Sequence, residues 1–405
     1  MARKMIPYVT EQCPGLDTLL SYLKRWEAGK CSISERYRFA CAKALDMDEV
    51  ELFGNPLAAT TLRRDFLGFG GSMAVGNFLG MIESELDRIN ITLSRGTAHE
   101  QRIAYLEGVA DELGIQIHRA APTTKLRPAL SALTSVRALL AERQPTRHQA
   151  RLVAVSAKLS TVVGEQLFNA GQLKQAAEWH RTAQYAADDS GVRHIADIAL
   201  AQRAFVLMYS GEPVEVLRLI APRLDENPSP SPAVALLLGI KARAHATLGE
   251  RDSFKRSIDE AGECLGRSEA AQIGPGIFSF RPANLAFCET VGAVALNDLD
   301  IALDAAARAL ALFHEADRAD KADSVLVRLS RASALARAGE IPEACLAAKA
   351  TVLDAASYYT LCVRTYARAF SEDISAVKSP DAAQWRDVLT EVERASTTES
   401  AIQGT

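Results

Sequence analysis

Leu326-Val-Arg-Leu-Ser-Arg-Ala-Ser-Ala-Leu335-Ala-Arg-Ala-Gly339 runs straight into Glu340-Ile-Pro-Glu-Ala344-Cys-Leu-Ala347-Ala-Lys-Ala350. Leu326, Leu329, Ala332, Leu335 and Ala336 recur at helical spacing, which lays one apolar stripe along a helix. Gly339 then supplies a backbone conformation that other residues avoid, and the first helix stops there. Ala344, Ala347 and Ala350 carry a second helix whose small side chains let two helix axes approach closely. One such pair cannot bury its own apolar faces, so it needs neighbours to stack on.

Those neighbours lie upstream. Asn169-Ala-Gly171 separates Leu159…Leu167 from Leu173…Ala187, and Gly211 separates Ala201…Met208 from Val214…Ile220. Gly249 separates Leu237…Leu248 from Phe254…Ala261, and Asn297 separates Leu285…Leu296 from Ile301…Ala309. The turn residues 171, 211, 249, 297 and 339 stand 40, 38, 48 and 42 residues apart, somewhat more than the ~34 of a minimal tetratricopeptide (TPR) unit. Five pairs in succession predict an all-α fold in which residues 150–394 form a TPR-like α-solenoid of helical hairpins.

Ahead of it, residues 55–149 read as a helical linker region. Helices are expected over Met81–Thr92 and Leu126–Glu142, a strand-like run at Gly114-Ile-Gln-Ile-His-Arg119, and a loop over Arg143–Arg147. Residues 1–54 form a short module closed by Leu52-Phe-Gly54-Asn-Pro56, since glycine and then proline end a helix. Residues 395–405 read as a polar C-terminal tail that frays.

Composition narrows the function classes. Of 405 residues, 48% are hydrophobic and 24% charged, the balance of a soluble globular chain. No apolar run reaches the ~18 residues of a membrane span, and Met1–Thr10 lacks the apolar centre of a signal peptide. Arg63-Arg64 with Phe66-Leu67 has the lettering of a twin-arginine signal, but some sixty residues precede it, and a linker helix is the plainer reading. The expected location is cytoplasmic, with no membrane partner. Cysteines at 13, 31, 41, 264, 288, 345 and 362 form no Cys-x-x-Cys pair and fit reduced thiols. Histidines at 99, 118, 148, 180, 194, 245 and 314 show no metal-ligand spacing, and no nucleophile elbow or phosphate loop occurs. His180 and His194, beside Asp188-Asp189, read as exposed helix-end histidines. Neither an enzyme nor a cofactor is expected.

The net charge of −4 is unevenly spread: residues 1–64 carry +2 and residues 65–405 carry −6. A small basic module on an acidic body suits a chain that touches DNA with one end. Leu19, Leu20, Leu23 and Trp26 form an apolar stripe that leaves Ser21, Tyr22, Lys24 and Arg25 facing elsewhere.

The run Leu19–Lys30, with Trp26-Glu-Ala-Gly-Lys30, then Ile33–Leu45 and Met47–Gly54, resembles the latter half of a lambda-repressor-like (XRE-type) helix-turn-helix domain. The family's two preceding helices have no counterpart in Met1–Leu16, so the helix-turn-helix reads as partial. The resemblance implies double-stranded DNA as a partner, read by Ser21, Tyr22, Lys24, Arg25, Lys30 and Arg36. The whole layout is similar to actinobacterial regulators that join an XRE-type domain to TPR-like repeats, and to peptide-pheromone sensors of Gram-positive bacteria. That similarity implies a homodimer whose solenoid senses a peptide, a small-molecule signal or a protein partner. Polar residues on the first helices of the pairs are the ligand candidates: Asn169, Gln202, Arg203, Lys241, Arg243, Asn284 and Arg328. Amides can clamp a peptide backbone and arginine suits a carboxylate. The alternative is a TPR-type interaction scaffold without DNA binding.

Overall fold

The computed structural model describes residues 15–27, 37, 40–42, 44, 99–117, 124–268, 276–315 and 321–403. Among these described residues every regular element is helical and no strand occurs. The chain divides into two compact units, Met1–Arg88 and Ile89–Thr405.

In the first unit, helix α1 spans Leu16–Glu27. Leu19 and Leu23, one turn apart, are buried with Tyr37, Ala40 and Cys41. Leu20, expected in the same stripe, is 42% exposed. One residue step rotates it by roughly 100°, off the face that Leu19 and Leu23 share.

The second unit opens with α2 (His99–Gln116) and α3 (Leu126–Leu140). Five helix pairs follow: α4 (Thr146–Asn169) with α5 (Leu173–Ser190), α6 (Arg193–Tyr209) with α7 (Pro213–Asp225), α8 (Pro232–Thr247) with α9 (Arg251–Gly266), α10 (Pro282–Ala295) with α11 (Leu299–Glu315), and α12 (Lys321–Arg337) with α13 (Ile341–Asp354). Two further helices, α14 (Leu361–Asp373) and α15 (Pro380–Gln403), complete the unit. Each first helix packs on the next, in the order α4, α6, α8, α10, α12, α14, and α14 touches α4 again.

The five pairs share one turn. Gly171, Gly211, Gly249, Asn297 and Gly339 all take positive φ, between 59° and 94°. At the first turn Gly171 N donates to Phe168 O at 2.8 Å and Gln172 N to Leu167 O at 2.8 Å. The same two bonds recur at Gly211 and Glu212, Gly249 and Glu250, Asn297 and Asp298, and Gly339 and Glu340. They satisfy the last carbonyls of the first helix and turn the chain back for the second.

Two expectations are corrected here. Gly114-Ile-Gln ends helix α2 instead of starting a strand. Ile103, Leu106, Ala110, Leu113 and Ile117 are all buried, and this stripe of threes and fours overrides the short Ile-x-Ile alternation. At the other end, α15 runs on to Gln403 instead of fraying from Ala395. Ala382, Trp385, Leu389 and Val392 dock it, and no Gly or Pro interrupts it before Gly404. The helix expected over Met81–Thr92 and the Arg63-Arg64 segment lie outside the described residues. The loop before α4 is short, because Thr146 already begins that helix. Helix α2 is tied to α4 by Arg151 with Glu107 at 2.7 Å and Lys158 with Asp111 at 2.6 Å. No described helix is long and apolar enough to cross a membrane.

Candidate functional site

The first helices of the second unit surround a cavity of about 130 Å³. Helix α4 contributes Glu165, Phe168 and Asn169; α6 contributes Gln202, Phe205 and Tyr209; α8 contributes Leu236 and Arg243. The wall is completed by Gly276, Ile277, Ser279 and Phe280, by Asn284, Phe287 and Cys288 of α10, by Asp323 and Leu326 of α12, and by Thr360, Cys362 and Val363 at the start of α14. Wall residues thus come from positions nearly two hundred apart in sequence, brought together because each first helix packs on the next.

Arg243 is the basic side chain in this wall. It is only 6% exposed. Its Nη2 donates to the Tyr366 hydroxyl at 3.1 Å, and its guanidinium carbon lies 5.3 Å from the Phe205 ring centre and 5.6 Å from that of Phe287. These rings attract a cation through their negative faces. Among the described residues no carboxylate comes within ion-pair distance of Arg243, and its Nε has no acceptor. Buried guanidinium groups are ordinarily paired, because removing charge from water is expensive.

Polar side chains are set around it by their own bonds. Asn169 Nδ2 donates to Glu165 at 3.2 Å, one turn back on the same helix. Asn284 caps its helix, accepting from the Arg281 amide at 3.0 Å, while its Nδ2 donates to Asp323 at 2.7 Å. Burial pushes the Tyr366 phenol up to about 12, with the Arg243 charge pulling the other way. Burial likewise pushes the Cys288 thiol up to about 11 and the Cys362 thiol up to about 12. At neutral pH these are protonated donors, not thiolate nucleophiles. The wall offers a fixed positive charge, two acidic side chains, amides and aromatic faces.

Four of the ligand candidates, Asn169, Gln202, Arg243 and Asn284, therefore line one cavity. The other three point elsewhere. Arg203 donates to Gln184 of α5 at 2.6 Å and lines a separate cleft of about 260 Å³ with Asp188 and Arg223. Lys241 binds Glu260 of α9 at 3.3 Å, and Arg328 binds Asp354 of α13 at 2.7 Å. All three tie a first helix to a second helix. Sequence reading missed Glu165, Asp323, Tyr209 and the aromatic walls. Glu165 stands four residues before Asn169, a spacing that already puts both on one helical face.

His180 and His194 are corrected: neither is exposed at a helix end. His180 is fully buried, and burial pushes its pKa down to about 3, with the Arg203 charge adding to the effect. His194 donates through Nε2 to the Phe278 carbonyl at 3.0 Å, and burial lowers its pKa despite that bond. Among the described residues no group of three His, Cys, Asp or Glu is placed to share a metal ion.

On α1, Ser21, Lys24 and Arg25 are exposed, opposite Leu19 and Leu23. Tyr22 is half-buried, its ring 5.8 Å from Trp26 and 5.9 Å from Tyr37, so it packs the aromatic cluster. Lys30 and Arg36 lie outside the described residues. Compared with protein families, with curated proteins and with solved structures, the chain matches none.

Proposed function

We propose that this chain is a DNA-binding transcriptional regulator, of the XRE-type with TPR-like repeats, whose solenoid senses a small signal or peptide. The observation that carries the sensing half is the cavity among the first helices, with a buried guanidinium that lacks a carboxylate partner. Support for the DNA-binding half is the resemblance of residues 17–54 to a recognition helix and its neighbours. The outward face of α1 presents one short hydroxyl, Ser21, beside Lys24 and Arg25, which is the mixture base edges and phosphates require. The buried, protonated thiols and phenols of the cavity favour binding over catalysis. A cytoplasmic homodimer on a two-fold operator follows from the same reading.

The test is binding of the full chain to its own upstream DNA and to random DNA across a salt titration. The expected result is a sequence-specific complex that survives moderate salt. In the Lys24→Ala, Arg25→Ala variant it weakens, and the salt slope shallows by about 0.9 for each phosphate that these side chains no longer neutralise. Absent or sequence-blind binding would turn the reading to a TPR-type scaffold that docks another protein.

A further inference from the structure

We infer that the cavity is built for a single amino-acid-type zwitterion with an apolar side chain, its carboxylate seated on Arg243. The inference rests on the reading of this cavity as the sensing site and narrows what it senses.

Three observations lead to it. First, Arg243 is nine-tenths buried, lines the cavity, and keeps Nε without an acceptor. Tyr366, Phe205 and Phe287 hold the guanidinium in place without neutralising it. A carboxylate meets a planar guanidinium edge with two parallel bonds, and no other common side-chain cation offers that fork. Second, Glu165 and Asp323 line the same cavity. A carboxylate accepts from up to about four donors, so an ammonium at the ligand's other end finds acceptors in both beside the partners they already have. Asn169 and Asn284 already hold these two acidic groups in place. Third, the space is about 130 Å³, close to the ~150 Å³ apolar cavity that admits one benzene ring. One branched or aromatic side chain of about that size can lie on Phe168, Phe205 and Phe280.

The experiment is isothermal titration of the full chain with L-leucine and L-phenylalanine, beside two half-ligands. Phenethylamine lacks the carboxylate and 3-phenylpropionate lacks the ammonium. The expected result is binding of at least one amino acid, with both matching half-ligands weaker by roughly tenfold or more. Arg243→Lys, which keeps the charge but loses the fork, and Arg243→Met, which fills similar space, should each weaken the amino acid by a similar factor. Circular dichroism melts show whether each variant folds.

Equal binding of phenethylamine and phenylalanine, or unchanged affinity in a folded Arg243→Lys chain, would overturn the assignment. So would absence of binding by all twenty amino acids. The DNA titration separates the two ideas. Specific DNA binding with no amino-acid binding removes this ligand class and leaves the regulator. Amino-acid binding without DNA binding leaves the ligand and removes the regulator.

Discussion

His180 and Gly164 show how tightly the first pair is fitted. A Cβ on Gly164 would sit 2.5 Å from His180 Cε1 and 2.7 Å from Nδ1, so the ring rests directly on the α4 backbone. Gly164→Ala is expected to cost about 1–3 kcal/mol, the usual range for an overfilled core. A urea titration measures it, and a double-mutant cycle with His180→Ala should show strong coupling between the two sites. An unchanged midpoint would mean that α4 and α5 do not meet at these residues. The same ring predicts a pH response. In the unfolded chain the imidazole takes up a proton near pH 6.5, but in the fold it resists protonation down to about 3. The unfolded state therefore binds more protons within that window. This contribution is fully present above 6.5 and is lost as pH falls toward 3, at up to about 1.4 kcal/mol per pH unit. Between pH 6.5 and 5, above the main carboxylate range, His180→Leu should flatten the fall in stability. A parallel slope in both chains would contradict the buried neutral ring.

The elements legible in the sequence were those ended by a special backbone residue. Gly171, Gly211, Gly249, Asn297 and Gly339 announce themselves because a left-handed turn restricts the residue types it accepts. At Gly211 nothing lies within 4 Å of a would-be Cβ. Gly211→Ala therefore isolates the backbone cost, expected at about 1–2 kcal/mol. Asn297→Ala should cost a similar amount, while Asn297→Gly should stay within about 0.5 kcal/mol of the parent. Chemical denaturation of the three variants reads this directly. If all three were neutral, the shared turn would not be what ends these helices. Helices α14 and α15 carried no such sign: α14 starts at a Thr360 cap, whose hydroxyl accepts from Val363 N at 3.3 Å. No described residue between α14 and α15 takes positive φ. Yet Trp385 of α15 is fully buried, edge-to-face with Phe370 at 5.0 Å and donating to Ser371 at 2.8 Å. Trp385→Ala is expected to cost about 3–5 kcal/mol, measured by the same titration; a loss under about 1 kcal/mol would mean that α15 is not docked.

Within the second unit the apolar residues gather into two large cores. One runs from Ile103 to Cys288 and the other from Ala283 to Val392. The cavity lies where they meet, with Leu236, Phe280 and Cys288 from the first and Phe287, Leu326 and Val363 from the second. Sequence periodicity could find the helices but not this meeting. It gives no sign that α14 returns to α4, and it cannot separate Gln202, which lines the cavity, from Arg203, which faces a different cleft. Direct links across the junction include the bond from Arg243 of α8 to Tyr366 of α14. A ligand filling the cavity would join the two cores more firmly than that bond alone. Bound at a hundred times its dissociation constant, it adds about 2.7 kcal/mol to the folded state. Hydrogen exchange of the full chain with and without a saturating amino acid should then show where that energy is felt. Slower exchange is expected in α4, α8 and α14 together, despite their distance in sequence, with little change in the outer helices α9 and α13. Arg243→Met should abolish the pattern. Protection confined to one helix, or spread evenly over inner and outer helices alike, would mean that the cavity does not couple the two cores.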